Sequence, residues 1–439
     1  MAAPTKVGPY TVQSKLGAGG MGTVFKVQHG KSGQHYALKI LEIRPDDPDA
    51  DKLRHRFKEE CEALERLSHP LIPRFKEHGT HEGNPYLVQE LAAGEQLGTL
   101  IKANFRPDPD GRKRTLRLVL HVLDALKRAH GAKIAHRDIK PANVVVDTAS
   151  APWEHRLVDF GLARRMGATR TVSLFGTHGY TAPETVNVLP SDPDHDANWP
   201  GFPADVYSVG VMLYELWTGD RPYEPTFSQT ASAIAAYRRL WQDAQGQNQN
   251  PGLAHPADAT DDLARVMLRS LAVKPEARYA HATAFDEDLT ACPEVASLLL
   301  DDAGVAAAQG RLSVALEHLN RIAPRADLAR ALLSSDADHQ LWIDLLLDNS
   351  NSLHDALVHR LEGLRIDDRP SQAPQGSPQD LMRAALFYAR GDMVSGLLTA
   401  QKVKPAELPE PLRRSREKML LRLLESIAPG QIAAAVSTQ

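Results

Sequence analysis

The chain has 439 residues, longer than one typical domain and enough for two or three. Its apolar and charged fractions, 42% and 24%, suit a globular protein that buries its own core, and a formal net charge of −4 gives no reason to expect nucleic acid or an anionic membrane as partner. Cys61 and Cys292 make no disulfide framework, no apolar run approaches the roughly 18 residues of a membrane span, and the first residues lack the apolar stretch of a signal peptide, so the expected location is cytoplasmic.

From Tyr10 to Ile43 the chain reads as β-strands, with a glycine-rich turn between Val12 and Val24 and a strand at Tyr36–Ile40. Residues from about Asp49 to Leu67 read as a helix. Polar stretches at Arg106–Arg114, Pro190–Pro203 and Gln245–Ala257 read as loops. Leu116–His130 and Val206–Trp217 read as helices, the second with Val206, Val209, Leu213 and Leu216 on one face. A strand-rich front and a helix-rich body make an α+β pattern. After about Thr290 the strand signals vanish and Leu/Ala-rich helical patterns take over, around Leu312–Leu319, Leu353–Leu364 and Met419–Ile427. The expected organisation is therefore residues 10–290 as one domain and 291–439 as an all-α region. A linker is expected near 367–379. Two segments, Ala306–Arg311 and Phe387–Asp392, hint at degenerate helical-hairpin repeats of the tetratricopeptide sort, without a clean period.

Chemistry begins at Gly17-Ala18-Gly19-Gly20-Met21-Gly22-Thr23-Val24. Glycines between two strands let backbone amides approach phosphate oxygens with no Cβ in the way. A dinucleotide fold would continue into a helix, and here another strand follows. Lys39 stands on that next-but-one element. In the helix after it, Leu53, Phe57, Leu64 and Leu67 share a face at 100° per residue, and Glu60 falls on the same stripe, while Glu59, Glu62 and Glu65 point away. A carboxylate on an apolar stripe needs a partner, and Lys39 is the natural candidate.

The densest segment is His136-Arg137-Asp138-Ile139-Lys140-Pro141-Ala142-Asn143, followed sixteen residues later by Asp159-Phe160-Gly161. Asp138 can accept the proton of an attacking hydroxyl, Lys140 can neutralise a transferring phosphoryl group, and Asn143 and Asp159 can offer oxygen ligands to magnesium, a hard cation. The whole set in this order is far more specific than any one piece.

On these motifs the stretch from about Tyr10 to Thr290, two-thirds of the chain, resembles a Hanks-type protein kinase domain, close in style to bacterial eukaryotic-like serine/threonine kinases. The resemblance implies a bilobal fold with a β-rich N-lobe, a helical C-lobe and ATP in the cleft. It implies a phosphate lid at Leu16–Gly22, with Val24 and Ala37 packing on adenine. It puts a gatekeeper at Gln89 and a hinge at Glu90–Ala92. It assigns the base to Asp138, the phosphate-holding ion pair to Lys39 and Glu60, and the metal to Asn143 and Asp159, with magnesium expected and manganese as a substitute. Gly176–Glu184 matches the end of an activation segment, Asp205 the acid that braces the catalytic loop, and Arg278 the partner of Glu184. Lys140 and Thr181 favour serine or threonine over tyrosine as acceptor.

The resemblance also bears on regulation. Arg137 commonly holds a phosphorylated activation segment in such kinases, and Thr171, then Thr169, with Ser173 close by, are the expected phosphosites; Thr177 reads as structural, near the substrate. Two departures stand out: a long connection at Asp147–His155, and a long loop at Pro190–Pro203 with Trp199, bordering the expected substrate groove and read as a surface insertion. A pseudokinase scaffold is the rival reading, but the lysine, base and metal aspartate that pseudokinases lose are all present. The tail either recruits protein partners or packs on the large lobe, and the sequence leaves both open.

Overall fold

The computed structural model describes residues 4–19, 22–43, 50–104, 107–149, 153–160, 178–186, 201–222, 253, 255–308, 378–389, 393–405 and 410–426, with 314, 318, 321 and 408 singly. The chain divides into two compact units, Met1–Asp286 and Glu287–Gln439.

The first unit opens on a six-stranded antiparallel sheet in the order β1-β2-β3-β4-β6-β5. Its strands are β1 (Lys6–Val7), β2 (Tyr10–Gly19), β3 (Gly22–His29), β4 (His35–Ile40), β5 (Phe75–His81) and β6 (Asn84–Glu90). Side chains alternate between faces with period two, and this sorts β4 cleanly. Tyr36, Leu38 and Ile40 join Val7, Tyr10, Phe25, Val27, Tyr86 and Val88 in one apolar cluster. Ala37 and Lys39 face the other way, paired with Gln89 and Leu87 of β6. Helix α1 (Ala50–Glu65) packs near that second face, where Leu53, Phe57 and Cys61 meet Leu41 and Leu87. Its exposed side carries Glu59, Glu62 and Glu65, so the amphipathic stripe read from the sequence is the buried one.

The β2–β3 hairpin closes on a Gly19–Gly22 pair. Gly22 sits at φ 140°, and a Cβ there would stand 2.0 Å from the Ile40 carbonyl oxygen. Only glycine lets β4 run this close beneath the loop.

A three-stranded sheet, β7 (Glu95–Gln96), β8 (Val144–Asp147) and β9 (Glu154–Leu157), lies at the start of the helical part, with α2 (Leu97–Asn104) beside it. The long helix α3 (Pro109–Gly131) starts inside the stretch that the sequence reading gave to a loop at Arg106–Arg114. The reason is local: Asp108 is an N-cap whose Oδ1 accepts from Gly111 N at 2.7 Å, and Pro109 takes the first helical position, where its missing N–H costs nothing. Helix α4 (Phe202–Thr218) is buried on nearly every side, packs on α3 and α5 (Asp261–Ser270), and ends at Gly219 in the left-handed conformation.

In the second unit the described helices are Pro293–Ala308, Pro378–Ala389, Met393–Gln401 and Glu410–Ser426. The last three pack together through Leu381, Ala384, Ala385, Tyr388, Leu397, Ala400, Met419 and Leu423. The patterns at Leu312–Leu319 and Leu353–Leu364 lie outside the described residues, apart from single positions. Among the described residues no helix is long and apolar enough to cross a membrane.

Candidate active site

The loop from His136 to Asn143 is pinned from beneath by one carboxylate. Asp205, in the first turn of α4 and 1% exposed, accepts the backbone N–H of His136 and of Arg137, each at 2.7 Å. His130 Nε2 donates to the same carboxylate at 3.0 Å. Ala282 N–H donates to His130 Nδ1, which leaves the proton on Nε2 and fixes the tautomer. Burial alone would raise the Asp205 carboxyl, but the hydrogen bond from His130 and the Arg137 N–H outweigh it and hold the group below the usual carboxylate range.

This bracing sustains an unusual backbone. Arg137 sits at φ 67° and Asp159 at φ 60°, both in the left-handed region. A non-glycine residue there costs of order 1–3 kcal/mol, sustained only when neighbours over-determine it. His136 supplies part of the restraint. Its Nδ1 accepts Asp138 N–H at 3.3 Å, its Nε2 donates to the Val158 carbonyl at 3.1 Å, and its ring packs on Phe160 at 4.5 Å. Complete burial drives its pKa below the ordinary value, so it stays neutral in this two-sided role.

The reactive groups converge above the braced loop. Lys140 Nζ lies 2.8 Å from Asp138 Oδ2. Asn143 Nδ2 donates to the Asp138 carbonyl at 2.7 Å and to its Oδ2 at 3.0 Å, which turns the amide oxygen Oδ1 away as a free-standing donor atom for a hard cation. Val158 N–H donates to the Asn143 carbonyl, tying the strand that delivers Asp159 to the same loop. Asp159 forms an ion pair with Lys39 across 120 residues of sequence. Burial would raise its carboxyl; the charge and hydrogen bond of Lys39, with the charge of Lys140 nearby, hold it low and ionised. Among the described residues no group of three or more His, Cys, Asp or Glu gathers for a metal. A pair of oxygen donors, Asn143 Oδ1 and Asp159, fits magnesium, which keeps waters and phosphate oxygens for its remaining positions.

Of the other residues singled out from sequence, Val24, Ala37 and Gln89 lie on β3, β4 and β6, with Val24 paired to Lys39 and Ala37 to Gln89. Leu16 is 46% exposed within β2, at the register shift between Lys15 and Gly17. Glu90 ends β6, and Ala92 follows without regular structure. Glu60 lies within α1, but its side chain is outside the described residues, as are Gly20, Gly161, Thr169, Thr171 and Ser173. Glu184 and Arg278 form a bidentate pair, both bonds 2.7 Å. Thr181 lies in the same stretch, half-buried. His130 is the functional residue that sequence reasoning missed; a histidine on an amphipathic helix carries no motif, and only α4 reveals its partner.

A braced loop carrying a carboxylate, a cation and an amide, together with a strand lysine paired to an ionised aspartate, suits phosphoryl transfer. The family model for the protein kinase domain matches residues 10–289. A probable serine/threonine-protein kinase of Streptomyces coelicolor is 30% identical over 302 residues, covering 66% of this chain and 41% of that protein. The serine/threonine-protein kinase PknL of Mycobacterium tuberculosis is 32% identical over 292 residues, covering 66% of this chain and 67% of PknL. The crystal structure of the M. tuberculosis PknI kinase domain aligns with a TM-score of 0.46 at 27% identity, covering 66% of this chain and 98% of that one. The chain belongs to the protein kinase family, and its catalytic domain is of the bacterial serine/threonine type. The family acts with ATP and a divalent metal on protein substrates.

Proposed function

We propose that this chain transfers the γ-phosphoryl group of ATP to serine and threonine hydroxyls of proteins, with magnesium as its metal, in the cytoplasm. The observation that carries the reading is the convergence of Asp138, Lys140 and Asn143 on one braced loop beside the Lys39–Asp159 pair. Asp138 accepts the proton of the attacking hydroxyl. Asn143 and Lys140 fix its carboxylate in one orientation, so little reorganisation remains for the reaction itself. Lys140 also offsets charge on the transferring group. Lys39 holds the α- and β-phosphates, and Glu60 is the residue we assign to steady it. Asn143 and Asp159 would hold magnesium, which would supply neutralisation of the phosphate charge. Leu16, Val24 and Ala37 line the adenine slot, with Gln89 as gatekeeper and Glu90–Ala92 as hinge.

We further assign autophosphorylation to Thr171 or Thr169, where a phosphate of about −1.5 to −2 charge would pair with Arg137. Incubation of dephosphorylated protein with Mg·ATP and a generic protein substrate tests both claims. Phosphoserine and phosphothreonine are expected in the substrate, and phosphate at Thr171 or Thr169 in the enzyme. Phosphotyrosine as the main product would contradict the acceptor assignment.

A further inference from the structure

Away from the reacting groups, the 178–186 stretch carries a clamp. Tyr180 donates its hydroxyl hydrogen to the Glu215 carboxylate on α4. Two turns earlier on the same helix, Ser208 Oγ donates to the Tyr180 carbonyl at 2.8 Å. Burial, then the hydrogen bond and charge of Glu215, raise the Tyr180 hydroxyl well above its ordinary pKa, so it remains a donor. Just past the end of α4, Arg221 turns back. Its Nε lies 3.6 Å from Glu215 Oε1, in a half-buried setting. Its side chain also crosses Gly179: a Cβ there would stand 2.3 Å from Arg221 Nη1 and 3.0 Å from Cδ. Gly179 is not at positive φ, so the glycine supplies room rather than backbone freedom.

We propose that Arg221 is a positioning residue for protein-substrate binding: it holds Glu215 on Tyr180 and keeps the 178–186 stretch fixed as a ledge for the substrate polypeptide. This rests on the kinase reading above, because the stretch matters to substrate only as the end of an activation segment. Two features make the placement consequential. The stretch contains Ala182-Pro183-Glu184, whose Glu184 is locked to Arg278, so the clamp and that pair restrain one short segment at two points. It also follows Thr177 directly in sequence, a few residues after the candidate phosphosites.

The overlap between Gly179 and Arg221 provides a test that a general loss of stability would not mimic. Arg221→Ala removes the clamp, and Gly179→Ala displaces it, since a methyl and the guanidinium cannot share the space. Each should raise KM for a protein substrate about two- to fivefold, the size of a partly exposed ion pair, with kcat and KM for ATP nearly unchanged. Arg221→Lys should recover most of the loss. The double variant should be no worse than either single change, because without Arg221 the methyl has room; additive losses would contradict the shared mechanism. Amide hydrogen exchange across 178–186, which needs no turnover, should accelerate equally in all three alanine variants. Unchanged exchange and unchanged KM in an active Arg221→Ala protein overturn the clamp alone. A wild-type protein that transfers no phosphate overturns the kinase reading, and the substrate role with it.

Discussion

Arg278 engages all five of its N–H groups. Nε donates to the Ala272 carbonyl, one terminal nitrogen to Glu184 and the Pro203 carbonyl, and the other to Glu184 and the Val273 carbonyl. Its guanidinium also lies 4.7 Å over the Tyr207 ring. A buried charge with every donor satisfied is stable as a unit and costly to break by halves. Glu184→Ala should therefore lower unfolding free energy by about 3–5 kcal/mol in a denaturant titration, because it strands a buried cation. Arg278→Lys should lose much of the same stability, since an ammonium has no planar fork for the carboxylate. A loss below about 1 kcal/mol in both would show that the pair is not buried as described. These residues were legible because their motifs have fixed spacing. Lys39 was legible in part. Helical periodicity points to Glu60, whose side chain lies outside the described residues, and the structure adds an ion pair with Asp159, a contact that only the fold of the whole domain brings about. His130 was not legible at all, because its role depends on a carboxylate 75 residues away.

At the scale of elements, α3 and β9 meet through two histidines. His121 and His155 approach at 2.7 Å between their Nδ1 atoms, and His155 is 3% exposed. Burial first, then the charges of His121 and Arg117, push His155 down to about 3. A histidine whose folded pKa lies below its unfolded value of 6.5 favours folding above that value, where it is neutral in both states. Its contribution is lost as pH falls from about 6.5 toward 3, at about 1.4 kcal/mol per unit. Between pH 7 and 5 this site should cost about 2 kcal/mol, and His155→Gln, which does not titrate, should be less acid-sensitive by that amount in urea melts. Equal acid sensitivity of the two proteins would remove His155 as the cause. The elements themselves were largely readable: glycine-flanked strands, an amphipathic α1, a helix with apolar spacing at α4. The start of α3 was not, because a run of Arg, Pro, Asp and Gly has the composition of a loop, and its Asp108-Pro109 pair is equally a helix start.

For the whole molecule, the family match over 10–289 and the compact unit Met1–Asp286 concern the same part of the chain. We propose residues 10–290 as the catalytic domain and 291–439 as a separate helical region, either a recruiting module or a support. A protein ending near Thr290 should keep kinase activity on a generic substrate, within about the spread of a surface change, while losing any partner that the tail recruits. A folded truncation unable to bind nucleotide would instead make the tail part of the catalytic fold. Phosphoryl transfer through Asp138 is tested by phosphosite mapping of the dephosphorylated 439-residue protein after incubation with Mg·ATP, beside Asp138→Asn. The wild type should carry phosphoserine and phosphothreonine, and labelling should fall by orders of magnitude in a variant with an unchanged melting temperature. Equal labelling of the two proteins would contradict Asp138 as the base.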